Sequence, residues 1–129
     1  MRILLFTSNG APRSLFGSKG SKTRLALEVR PPSELKEAFG RLPRDCFVYV
    51  DVGDRTEAEI VSIARRLSGG RLAYGFIDPS DRIRDVASLF QLGASDYIGK
   101  RLIEHGVGPA RIRRALEGPP GARRRMGVP

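Results

Sequence analysis

Apolar residues along this chain gather in short dense runs, and the polar stretches between them carry apolar positions at helical spacing. Residues 2 to 7, RILLFT, are a compact apolar run closing on a small polar residue, the pattern of a buried strand and a turn. Residues 24 to 29, RLALEV, alternate weakly and predict a second strand, halted by Pro31 and Pro32. Ser33 is placed to cap a short helix, ELKEAF, with Leu35, Ala38 and Phe39 on one face, and Gly40 ends it. Residues 46 to 51, CFVYVD, are β-branched and aromatic and apolar on both faces, as a central parallel strand requires. Asp54 then stands three residues before Glu57, a loose capping box, ahead of Ile60, Ile63, Ala64 and Leu67 at helical spacing and a stop at Gly69 and Gly70. Residues 71 to 77, RLAYGFI, predict a fourth strand. Ser80 or Asp81 caps a helix built on Ile83, Val86, Ala87 and Phe90, closed by Gly93, and residues 95 to 98 predict a fifth strand. Pro109 suits the first position of a last helix, ARIRRAL, with Ile112, Ala115 and Leu116 inward.

Two stretches break this rhythm. SNGAPRSLFGSKGSK, residues 8 to 22, holds three glycines, a proline and four serines in fifteen positions, and reads as a basic loop with one helical turn around Leu15 and Phe16. From Gly118 onward, GPPGARRRMGVP has too little apolar content to fold alone. The expected organisation is one folded unit over residues 1 to 117 and a basic flexible tail or linker over 118 to 129, with the linker pointing to a longer protein. Strands alternating with helices imply βαβ units, right-handed crossovers and a five-stranded parallel sheet covered on both faces. Chemistry in such sheets collects in the crevice outside the C-terminal strand ends. There the sequence puts Thr7, Ser8 and Asn9 after the first strand, Asp51 at the end of the third, Asp78 after the fourth and Lys100 after the fifth.

Composition removes several function classes. Cys46 is the sole cysteine and lies in an apolar run, so a disulfide framework or cysteine-rich metal site is excluded and a small buried hydrophobe is expected. His105, the sole histidine, cannot build a zinc site or a triad. GSKGSKT ends in the Lys22, Thr23 order of a phosphate loop, but Ser21 replaces the needed glycine and a strand follows instead of a helix. The apolar run of MRILLFTSNG is too short for a signal-peptide core or a membrane span, so a cytoplasmic protein with no membrane partner is expected. The net charge of +9 is uneven. Residues 1 to 45 carry nine Lys/Arg against four Asp/Glu, residues 46 to 100 seven against eight, and residues 101 to 129 seven against two, giving +5, −1 and +5. Basic ends of this kind suit nucleic acid, an acidic protein surface or solubility alone. Arg111 and Arg114 share a helix face opposite Ile112 and Leu116 and, with Arg113, form a candidate interaction surface. No aromatics interleave with these arginines, which counts against stacking on single strands.

The strand CFVYVD ending at Asp51, the acidic capped helix behind it and the run GASDYIGK ending at Lys100 together resemble the receiver domain of two-component response regulators, over residues 1 to 117. The resemblance implies a flavodoxin-like, doubly wound, three-layer α/β fold on five parallel strands, here with a shortened or irregular first helix. It matches Asp51 to the phosphoacceptor and Lys100 to the lysine that contacts the phosphoryl group. It also implies that the last helix and strand face, with Tyr97, Arg111, Arg113 and Arg114, meets a protein partner, a downstream effector domain or a second copy. The chain departs from the pattern at three places. Neutral Thr7, Ser8 and Asn9 replace the carboxylates that hold Mg²⁺, Ile77 or Asp78 stands where the family has Ser or Thr, and Arg101 follows Lys100 in place of proline. Mg²⁺ asks for hard carboxylate ligands, and Asp78 would repel a phosphoryl oxygen. The expectation is therefore a non-enzymatic, atypical receiver-like signalling domain without a cofactor, in which Lys100 pairs with Asp51, Asp78 or both and fixes the crevice without phosphate. Two alternatives stand beside it: a phosphorylatable receiver accepting phosphate on Asp51 from a histidine kinase with weak Mg²⁺ binding, and a basic nucleic-acid-binding module.

Overall fold

A computed structural model describes residues 2–8, 26–39, 41, 46–70 and 72–105. Its strands are β1 (Arg2–Phe6), β2 (Ala26–Arg30), β3 (Cys46–Asp51), β4 (Ala73–Asp78) and β5 (Asp96–Gly99). All pair in parallel in one sheet of order β2-β1-β3-β4-β5, so this is an α/β fold. The helices are α1 (Leu35–Ala38), preceded by a 3₁₀ turn over Pro32–Glu34, then α2 (Glu57–Gly69), α3 (Val86–Leu92) and α4 (Lys100–His105). Among the described residues no helix is long and apolar enough to cross a membrane.

Parallel strands between helices need apolar side chains on both faces, and the runs read from the sequence supply them. Every residue of β3 is buried. Leu4, Phe6, Val48, Val50, Tyr74 and Phe76 form one face and receive Leu35 of α1, Ile60, Ala64 and Leu67 of α2 and Leu89 of α3. Ile3, Leu5, Phe47, Tyr49, Ile77 and Ile98 form the other, against which Ile103 of α4 packs. Each fully buried side chain of this size contributes about 1.5–3 kcal/mol of transfer free energy. Cys46 lies buried in the first cluster, as its apolar surroundings predict.

Helix ends are where local pattern and structure part. Ser33 does not cap α1: it sits inside the 3₁₀ turn, whose cap position is Pro31, a residue with no side-chain acceptor to offer. Asp54 and Glu57 are not the box of α2. Gly53, at φ +56°, and Asp54 turn the chain instead, and Thr56 and Glu59 close a reciprocal capping box two residues later. Neither Ser80 nor Asp81 caps α3; Asp85 does, its side chain accepting from Ser88 N–H, and Ile83 is buried ahead of the helix. Gly93, at φ +122°, ends α3 as predicted. The loop at 9–25, Gly40, the Pro109 helix with Arg111, Arg113 and Arg114, and the tail at 118–129 lie outside the described residues.

Candidate functional site at the strand ends

Register brings the predicted residues to one mouth of the sheet. Phe6 pairs with Val50, Asp51 with Ile77 and Asp78 with Gly99, so Thr7, Asp51, Asp78 and Lys100 all leave the sheet at the same edge. The strand order reverses at β1 and β3, the point where parallel sheets open a crevice. Thr7 and Asp51 meet there: the Thr7 hydroxyl donates to Asp51 Oδ2 at 2.6 Å, and Gly53 N–H donates to Asp51 Oδ1 at 3.0 Å. Both residues are 6% exposed. Asp51 also lines an open cleft of about 380 Å³ with Ser8, Gly53, Asp54, Arg55 and Glu59.

Asp78 is fully buried and held by three donors. Arg82 N–H reaches Oδ1 at 2.9 Å, Ile83 N–H reaches Oδ2 at 2.9 Å, and the Tyr97 hydroxyl reaches Oδ2 at 2.6 Å. Such a carboxylate organises the loop after β4, since each bond replaces one it would have made to water. Burial, and then the hydrogen bond to Asp78, push the Tyr97 phenol well above its ordinary range, so it stays a donor. Tyr97, taken in the sequence as part of an interaction surface, is half-buried and turned to this bond.

Lys100 departs furthest from expectation. It does not pair with Asp51 or Asp78; its ammonium lies 3.9 Å from Glu104 Oε1, one turn along the same helix, and is largely exposed. It is also no lone loop lysine, because α4 begins at this residue. Its side chain lies beside Glu104, while its backbone N–H donates to Asp81 Oδ1 at 2.9 Å. That contact needs Gly99, where a Cβ would lie 2.7 Å from the same Asp81 oxygen. Asp81 itself adopts φ +49° to make the reach.

Two further arrangements have no local signal in the sequence. Tyr49 OH donates to Asp96 Oδ2 at 2.8 Å across β4, passing over Gly75, which is the register partner of both residues. Beside the strand-end cleft, Arg55 donates to the backbone oxygens of Asp51 at 3.3 Å and Pro32 at 3.5 Å. A second cleft of about 370 Å³ begins on its far side, between α1 and α2. The Tyr49–Asp96 and Arg55–Pro32 pairs, 47 and 23 residues apart, show only in three dimensions; the hint for the first is a glycine inside an apolar strand, which marks a close approach.

No protein-family profile, curated protein or solved structure matches this chain.

Proposed function

We propose that this chain is a receiver-like signalling module that works through protein contacts, without Mg²⁺-dependent phosphorylation. The strand order β2-β1-β3-β4-β5 is the one used by flavodoxin-like doubly wound sheets, which supports the finer fold. The observation that carries the functional reading is Asp78. A buried carboxylate stands at the end of β4, its oxygens already occupied by Arg82, Ile83 and Tyr97, where phosphoryl chemistry would need a hydroxyl. The donor set around Asp51 does not fit a hard dication either. The Thr7 hydroxyl donates to Asp51 and the Glu59 carboxylate accepts from Thr56, and the position after β1 where the resemblance would place carboxylates holds neutral Thr7 and Ser8. Hydrogen bonds thus tie Asp51 and Asp78 into the strand-end loops, and signalling is assigned to the surface.

The test is an amide NMR titration with Mg²⁺ and beryllofluoride. The expected result is no saturable shift at Thr7, Asp51, Gly53 or Lys100; saturable shifts there overturn the reading. A second reading keeps Asp51 as a phosphoacceptor, and what favours it is that Asp51 lines the 380 Å³ cleft. It requires an acyl phosphate after acetyl phosphate treatment, cleaved by hydroxylamine and lost in Asp51→Asn.

A further inference from the structure

We infer that the groove between α1 and α2 is the docking site for an acidic peptide segment of a partner protein, one that seats an apolar side chain between flanking carboxylates. The inference takes from the protein-contact reading only the class of the occupant; the groove itself is argued from its walls. Its floor is apolar: Leu35 is buried, and Phe39 and Ile63 are half-buried. Above the floor stand Lys36, Arg55 and Arg66. Three cations therefore meet one carboxylate, Glu59, and that carboxylate is already bound by the Thr56 N–H and hydroxyl at 3.1 Å. The bond from the Thr56 backbone, and then that from its hydroxyl, hold Glu59 below the usual carboxylate range, so it is charged but committed to the helix end.

The cations are set for recognition in different ways. The Arg66 guanidinium lies 4.8 Å above the Phe39 ring, which fixes it over the floor. Arg55 spends two donors on backbone carbonyls and has further N–H groups of its planar fork to offer a carboxylate. Lys36 is exposed at the rim. Charge complementarity then selects an acidic ligand, and the chain's net +9 draws such a ligand in from a distance.

The shape favours a segment over a small molecule. The groove lies open along the seam between α1 and α2, whereas small-molecule sites enclose most of their ligand. Single-stranded nucleic acid is the weaker fit, because the one aromatic face in the groove is covered by Arg66 and the rest of the floor is aliphatic.

The experiment uses the full chain. A displayed library of random dodecapeptides is selected against it, and the strongest binder is synthesised and titrated by amide NMR. The expected binder carries an aromatic or aliphatic residue flanked by Asp or Glu and shifts the amides of Lys36, Phe39, Ile63 and Arg66. The double variant Lys36→Glu, Arg66→Glu, which changes only exposed positions, weakens it about tenfold or more, and added salt weakens it as well. Failure to select any peptide, selection of basic peptides, binding indifferent to the double variant, or a single-stranded poly(U) probe lost in that variant each overturn the inference. If peptides bind as expected while Mg²⁺ with beryllofluoride perturbs Asp51, the phosphorylation-free reading fails and the docking site stands. The reverse outcome removes the docking site alone.

Discussion

Tyr97 and Gly75 show how much of this site rests on single residues. Tyr97→Phe leaves Asp78 with two donors in place of three, and the lost bond to a charged acceptor should lower unfolding free energy by about 1–2 kcal/mol in urea titrations at neutral pH. The pH dependence has a definite sign. The folded phenol is held above its ordinary value of 10.0, so the native state keeps a proton that the unfolded chain releases. The stabilisation is complete below that value and is lost as pH rises through the folded value, so Tyr97→Phe should flatten the alkaline fall in stability. Gly75 acts by absence. A Cβ there would lie 2.9 Å from Asp96 O and 2.9 Å from Tyr49 Cε1, with backbone on one side and a packed ring on the other. Gly75→Ala should therefore cost about 1–3 kcal/mol by overpacking, measured by the same titration.

At the scale of elements, helix entry is where the chain invests its short polar side chains. α2 begins at the reciprocal pair of Thr56 and Glu59, with Asp54 two residues before the cap in an exposed turn. Thr56→Ala should destabilise by about 1 kcal/mol, whereas Asp54→Ala should stay within about 0.5 kcal/mol of the parent, a contrast read from urea midpoints. The end of α2 is tied by a relay. Ser68 Oγ donates to Leu92 O at 2.5 Å, so Tyr74 OH, 2.6 Å away, must donate to Ser68. This relay joins α2, β4 and the last turn of α3 on one face of the sheet.

For the molecule as a whole, the strands were legible because burial on both faces leaves dense apolar runs, and the ends of β2, β4 and β5 moved by only a residue or two from the predicted ones. The convergence of Thr7, Asp51, Asp78 and Lys100 at one mouth followed from parallel pairing alone. What those groups do there was not legible. Asp78 and Tyr97 are nineteen residues apart, as are Asp81 and Lys100, and spacing that long carries no periodic signal. The same reasoning misjudged Lys100, since a lysine after a strand reads alike whether it enters a crevice or starts a helix. Hydrogen exchange should rank the sheet by position, with amides of β1, β3 and β4 slowest and those of the edge strands β2 and β5 faster; equal protection at the edges would contradict the strand order. Arg55 reaches both the last carbonyl of β3 and the carbonyl of Pro32. One guanidinium is thus shared between the sheet's mouth and the α1–α2 groove, and shared groups obey reciprocity: any change at Asp51 that alters affinity in the groove must itself be favoured or opposed, by the same factor, when the groove is filled.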